Sequence, residues 1–403
     1  MSSIQVLSEI GKLKQVMIHR PGNEVENLIP DYLERLLFDD IPYLKVAREE
    51  HDCFAEIMRE NGTEVLYLEE MISEVLVCNE TKHAFLHEML EESEVHSAYC
   101  REALYEYLNS LPVRQMVDEL MSGIRRGHVE YQGDSLHDVL KNDYEFYLDP
   151  MPNLYFTRDP GACIGNGLSL NHMTTRARRR ETLFLKYLHL HHEIFKDAPL
   201  WYNRDIPQSI EGGDQLVLSD KVVAIGASDR TSAAAIERLA KNLFKADSTY
   251  ETVLVFEIQK RRAYMHLDTV FTMVDHDKFT VHPGIYSDLN IYEMHKVRDG
   301  RYSVRYVGNS AKKAIEDALK IDHIDLIECG GGDAIISHRE QWNDGSNTLA
   351  IAPGVVVTYE RNYVSNELLE KKGVKVLTMP SSELSRGRGG PRCMSMPINR
   401  GKL

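Results

Sequence analysis

Short β-branched strands alternating with single amphipathic helices predict an α/β fold, a propeller-like ring carrying an inserted helical bundle. Two observations carry this. From Pro150 onward, groups of strands follow recurring acidic or glycine-rich turns, and each group is followed by one helix. Between residues 69 and 142 the texture is different: Glu, Leu, Met and Tyr dominate, glycine nearly vanishes, and apolar residues recur at three and four. The expected division is therefore 1–68 with 143–403 as the α/β part, and 69–142 as the bundle.

The elements follow in order. Lys14-Gln-Val-Met-Ile-His-Arg20 reads as a strand stopped by Pro21-Gly22. Residues 31–61 carry helical spacing through Leu33, Leu36, Ala47, Phe54 and Met58, and Asn61-Gly62 turns into a buried strand at 64–68. Within the bundle, helices are expected at 67–77, 80–92, 97–109 and 112–125. Then Leu154-Tyr-Phe-Thr-Arg-Asp-Pro160 precedes strands to about 170 and a helix over 175–195. Ile210-Glu-Gly-Gly-Asp214 precedes strands near 215–218 and 221–225 and a helix from Thr231. Ile327-Glu-Cys-Gly-Gly-Gly-Asp333 precedes strands near 334–337 and 348–359 and a helix near 363–372.

Composition narrows the class. The 403 residues are 43% hydrophobic and 27% charged, enough to bury a large core. A net charge of −15 argues against a nucleic-acid partner, and the basic run Arg176 to Arg180 is too short to reverse that. No apolar stretch approaches a membrane span, and the N-terminus has no signal-peptide core. Six scattered cysteines without a CxxC pair suit a reducing cytoplasm.

The most informative stretch is Ser385-Arg-Gly-Arg-Gly-Gly-Pro-Arg-Cys393. Its glycines, Gly387 among them, allow positive φ and close approach to a ligand, and Arg386, Arg388 and Arg392 favour a thiolate at Cys393. It reads as a lid ending in an activated nucleophile, or else as a flexible tail with an incidental thiol. Met265-His266-Leu267-Asp268 opens a strand pattern running to Val274, which puts His266 and Asp268 on one face as a candidate base beside a cation-binding group. Glu211 heads an acidic-glycine turn at a strand end; turn chemistry alone is the plainer alternative. Asp159 is held extended by Pro160, with Asn153 and Phe156 nearby. Arg178 lies on the helix expected over 175–195, and Arg230 follows the strand ending at Ile225, where an arginine can clamp a carboxylate.

Two patterns are set aside. His189, His191, His192 and Glu193 lack the HExxH spacing, so no metal is expected. Gly330-Gly-Gly-Asp333 is neither GxGxxG nor a P-loop, so no nucleotide cofactor is implied.

Taken together the chain resembles the arginine deiminases, guanidine-modifying enzymes of the pentein superfamily. The resemblance rests on Glu9-Ile-Gly-Lys-Leu-Lys14, His19-Arg-Pro-Gly22, Leu37-Phe-Asp-Asp-Ile-Pro-Tyr43, Phe156-Thr-Arg-Asp-Pro-Gly161, Glu211-Gly-Gly-Asp214, His266-Leu-Asp268 and Arg386 through Pro397, in that order over nearly the whole chain. It implies a pseudo-fivefold ring of ββαβ modules with an added helical bundle. It implies hydrolysis of free L-arginine to citrulline and ammonia through a covalent thiouronium on Cys393, the first step of arginine catabolism by the deiminase pathway. His266 would be the acid and base, Glu211 its orienting partner, and Asp159 and Asp268 the guanidinium ligands. Asn153, Phe156, Arg178, Arg230, Gly387 and Arg388 would bind the rest of the substrate. No cofactor is implied, and a homo-oligomer, dimer or tetramer, is expected. The rival is another guanidine substrate on the same fold: agmatine, a methylarginine, or amidino transfer.

Overall fold

Five sheets repeat one order: an antiparallel strand pair, a helix, then a strand parallel to the second of the pair. The computed structural model describes residues 3–403 except 96, 132–135, 137–143, 246–247, 262, 287 and 299. The end of the expected bundle, 137–142, therefore lies outside the described residues.

In the first sheet the C-terminal strand Met396–Arg400 runs antiparallel to Leu13–Ile18, and Glu64–Tyr67 pairs parallel to the latter after helix Leu44–Glu60. The second joins Gly161–Ile164, Gly167–Leu170 and, after helix Glu181–His191, Leu200–Tyr202. The third joins Gln215–Val217, Val222–Ala227 and, after helix Ala233–Leu243, Thr252–Glu257. Strands Asn290–Arg298 and Arg301–Gly308 extend its far edge. The fourth joins Phe271–Asp275, Lys278–Val281 and Asp325–Glu328, with helix Ala311–Leu319 between. The fifth joins Leu349–Ala352, Val355–Tyr359 and Lys375–Met379, with helix Tyr363–Lys371 between. The mixed α/β class is as expected, and the crossover helix is what allows each third strand to run parallel.

Helices Leu68–Val75, Asn79–Glu92, Ala98–Ser110 and Val113–Ser122 match the expected bundle closely. Their apolar faces meet helix Glu181–His191: Phe85 lies 5.6 Å from Phe184 and 5.0 Å from Tyr187 between ring centroids. Among the described residues no helix is long and apolar enough to cross a membrane.

Three expectations are corrected. Residues 334–337 begin a helix, Ala334–Trp342, instead of a strand, because the Asp333 side chain accepts from the Ile336 amide at 2.9 Å and caps it. The helix expected over 31–61 is broken at Leu37, which takes a left-handed φ of 59°, so Leu33–Leu36 and Leu44–Glu60 are separate. The helix expected over 175–195 starts only at Glu181, after a tight turn over Arg176–Arg178.

Candidate active site

Six segments of the chain meet at one small cavity. Residues lining it include Asn153, Phe156, Asp159, Arg178, Arg230, His266, Gly387, Arg388 and Cys393. Every site residue named from the sequence lines it except Glu211 and Asp268, which stand directly behind His266 and Cys393. Its volume, about 40 Å³, holds little more than one water, so an amino acid can enter only as the walls move.

His266 does not sit on a strand. Its backbone is extended, but Leu267–Thr269 form a tight turn and the strand begins at Phe271. Asp214 causes this: its Oδ1 accepts from the Leu267 amide at 2.8 Å, while the Thr269 hydroxyl donates to the His266 carbonyl at 2.7 Å. His266 and Asp268 thus reach the site from a turn, and strand alternation is not what orients them. The Glu211-Gly-Gly-Asp214 turn lies against this one. A Cβ on Gly213 would sit 2.7 Å from the His266 ring, so only glycine lets the two turns approach this closely.

The imidazole is buried between carboxylates. Its Nε2 is 2.8 Å from Glu211 Oε2 and its Nδ1 is 3.7 Å from Asp159 Oδ1. Burial works against a charge here, but Asp159, Glu211 and Asp214 outweigh it and raise the His266 pKa to about 9. Glu211 is fully buried; burial raises its pKa, yet His266, Arg230 and Arg178 carry it below the ordinary carboxylate range. Ligand atoms of Asp159, Glu211 and His266 lie within 4.8 Å of one another, a spacing that could hold a cation. An imidazolium, however, has no free lone pair for a metal.

Asp159 and Asp268 are each anchored through one oxygen only. Asp159 Oδ2 accepts from Arg178 Nη1 at 2.6 Å, and Asp268 Oδ2 from Arg392 Nη1 at 2.7 Å. The Oδ1 of each is buried with no hydrogen bond. Such an atom is costly unless something binds it.

Cys393 Sγ is 3.7 Å from Asp268 Oδ2, and its amide donates to Asn347 Oδ1 at 3.0 Å. The thiolate expected from the neighbouring arginines is not favoured in the empty site. Burial pushes the thiol well above its ordinary value, and Asp268, Asp159 and Asp344 push the same way. The arginines are spoken for: Arg386 by Asp40 and Glu383, and Arg392 by Glu9 and Asp268. Arg388 stacks over Trp342, 3.3 Å from the ring centroid. It is also Arg388, at φ 63°, that takes the left-handed conformation in this stretch. Gly387 instead serves close packing, since a Cβ there would strike the Tyr155 hydroxyl.

The two expected clamp arginines are placed differently. Arg230 is partly exposed, with Nη1 3.7 Å from Glu211 Oε1. Arg178 is buried and fully engaged: Nε donates to both Glu181 oxygens at 3.0 and 3.1 Å, and Nη2 reaches the Asn153 and Phe156 carbonyls at 3.3 Å. Asn153 Nδ2 donates to the Leu36 carbonyl at 2.8 Å.

Sequence reasoning missed Glu181 and Asp214, and it read Arg392 as a source of positive potential for Cys393 when its guanidinium anchors Asp268 and Glu9. Glu181 is three residues beyond Arg178, a spacing that pairs charges on one side of a helical turn and so could have flagged it. Asp214 was read only as part of a turn.

Comparison with known proteins agrees with this geometry. A family model described as arginine deiminase matches residues 34–400. The chain is 56% identical over 410 residues to an arginine deiminase of Clostridium perfringens, across 100% of this chain and 99% of that one. It is 55% identical over 410 residues to one of Levilactobacillus brevis, across 100% of each. Among solved structures, SxtG, an amidinotransferase from Microseira wollei, superposes with a TM-score of 0.56 at 15% identity, covering 100% of this chain and 98% of that one. A mutant DDAH from Pseudomonas aeruginosa, complexed with citrulline, gives 0.53 at 14% identity, covering 96% and 99%. At such identities the structural likeness speaks for the fold.

Proposed function

The chain belongs to the arginine deiminase family and hydrolyses the guanidino group of arginine, and we propose that it does so through a covalent intermediate on Cys393. The observation that carries this reading is the pair of buried oxygens without a hydrogen bond, Asp159 Oδ1 and Asp268 Oδ1, on two carboxylates at the cavity, one of them 3.7 Å from the Cys393 sulfur. A guanidinium is a resonance-stabilised cation and a poor electrophile. Charge-assisted bonds from its planar nitrogens to two fixed carboxylates hold its central carbon for attack.

The cation also answers the problem of the raised thiol. Asp159 and Asp268 oppose a thiolate in the empty site; once the substrate neutralises them, Cys393 loses its proton to solvent and attacks the guanidinium carbon. The tetrahedral adduct then takes a proton from the His266 imidazolium onto a departing nitrogen. Ammonia leaves and an S-alkyl thiouronium remains on Cys393. The neutral His266 removes a proton from water, the resulting hydroxide adds to the same carbon, and the carbon–sulfur bond breaks. Citrulline departs, the hydroxyl proton of this second adduct passes to the leaving sulfur and restores the resting thiol, and His266 is again protonated. Glu211 orients the imidazole and favours its charged form.

At the other end of the substrate Arg230 receives the α-carboxylate, and Arg178 and Asn153 join it by giving up part of their present bonds to the protein as the walls move. Phe156 walls the pocket, and Gly387 and Arg388 close over the α-amino end. The partly exposed Arg230 beside the cavity supports this.

Three broader readings belong with this one. The pairing of the N-terminal strand with the C-terminal strand supports a closed pseudo-fivefold ring from the five like sheets. The helices at 68–122 support an insertion over 69–142 in a catalytic part of 1–68 and 143–403. The six free cysteines support a reducing cytoplasm, and the family resemblance supports a homo-oligomer.

Release of citrulline and ammonia from L-arginine tests the site. Equimolar products from the wild type, and none from Cys393→Ala, are expected. A Cys393→Ala variant that turns over arginine at the wild-type rate would remove the nucleophile.

A further inference from the structure

The basic run at 176–180, which the reaction uses only through Arg178, has a second face. There a cavity of about 300 Å³ opens between the helices at 79–110 and the turn at 176–180. Its walls hold the cations Arg35, Arg126, Arg176 and Arg180, the carboxylates Glu92, Glu94 and Asp149, and the rings of Tyr144, Phe146 and Tyr147.

All three carboxylates are already paired. Asp149 holds Arg35 at 2.8 Å, Glu94 holds Arg176, and Glu92 is held at 2.7 Å by Arg204. Among the described residues that leaves Arg126 and Arg180 with neutral acceptors. Arg180 is only 5% exposed, and it donates to the Ser93 hydroxyl at 3.3 Å and the Asp149 carbonyl at 2.6 Å. Half-buried Arg126 donates to the Tyr144 carbonyl at 2.7 Å and lies over the Tyr147 ring. A buried guanidinium whose hydrogen bonds go only to neutral acceptors is expensive, and burial pushes the Arg180 pKa down although Asp149, Glu181 and Glu92 act the other way.

Two such cations in one cavity call for a dianion, because a single carboxylate would leave one of them uncompensated. A phosphate group carries about −1.5 to −2 charges at neutral pH and accepts bidentate bonds from guanidinium forks. The volume exceeds what a bare phosphate fills and leaves room for an organic substituent beside the aromatic walls. We propose that this cavity is a second, non-catalytic site that takes a phosphate group, free or carried by a nucleotide.

Calorimetric titration of the full-length protein with inorganic phosphate and with adenosine monophosphate tests this. Saturable binding of at least one probe is expected, weakened roughly tenfold or more in Arg126→Gln and in Arg180→Gln. Arg126 is half-exposed and makes no contact with the catalytic cavity, so its variant keeps wild-type arginine turnover and reports on the site even if Arg180→Gln folds poorly. Tighter binding of the nucleotide identifies a nucleotide site; equal binding identifies free phosphate. No saturable binding of either probe, or binding unchanged by Arg126→Gln, would overturn the proposal.

Discussion

His266 Nε2 lies 2.8 Å from Glu211 Oε2 with both side chains buried, so the imidazole stays protonated to about pH 9. His266 must be charged to protonate the departing nitrogen, so its raised pKa sets where activity is lost on the alkaline side. Glu211→Gln removes one charge-assisted bond worth about 1.5–3 kcal/mol, equivalent to roughly 1–2 pKa units. The alkaline limb of kcat/KM, which reports the free enzyme, should move down in pH by that amount. A limb that stays near pH 9 would mean that Asp159 and Asp214 alone hold the imidazolium.

The thiol is shifted in the opposite sense for catalysis. Because burial and three carboxylates raise its pKa, Cys393 of the free enzyme should be a thiol at neutral pH. Thiolate ultraviolet absorbance should therefore be missing without ligand and appear when a non-reactive guanidinium compound binds. Thiolate absorbance in the free enzyme at neutral pH would show that the empty site does not suppress ionisation.

Gly213→Ala tests the contact between the two turns. A Cβ at this position meets the His266 ring at 2.7 Å and must displace it from Glu211. Loss of positioned acid–base catalysis predicts a fall in kcat of about 10²–10⁴-fold with a smaller change in KM. Wild-type kcat in this variant would show that the imidazole tolerates the displacement.

The two arginines at the far end should separate. Arg230→Ala loses a charge-assisted carboxylate bond of about 2–3 kcal/mol, which is ~30–150-fold in KM for arginine and almost nothing for agmatine. Arg178→Ala should in addition lower stability by about 3–5 kcal/mol, because it strands Asp159 and Glu181 without their buried partner. Denaturant unfolding beside kinetics distinguishes the two; equal losses of agmatine and arginine turnover in Arg230→Ala would remove the clamp.

Much of this was legible in the sequence wherever local rules decide. The strand pair and helix after Ile210 follow from β-branched strands and one amphipathic helix, which the structure caps with Ser232 accepting from the Ala235 amide. The helices from 68 to 122 follow from apolar spacing. Misreadings arose where a distant or competing partner decides. Ala334-Ile-Ile336 looks like a strand, but the Asp333 cap starts a helix there and leaves Ile335 79% exposed. The turn at His266 depends on Asp214, 53 residues away. The charge around Cys393 was misjudged for the same reason. Arginines in the last stretch are visible in sequence, whereas Glu9, Asp40 and Asp268, which neutralise them, are brought in only by the fold.

The most direct measurement is the mass of the Cys393 peptide after acid quenching of the enzyme mixed with excess L-arginine during turnover. The account predicts a fraction of that peptide carrying one amidino-linked substrate remnant, absent from Cys393→Ala and without ammonia in the adduct. An unmodified Cys393 throughout turnover, with citrulline still forming in the Cys393→Ala protein, would contradict it and require direct attack by water.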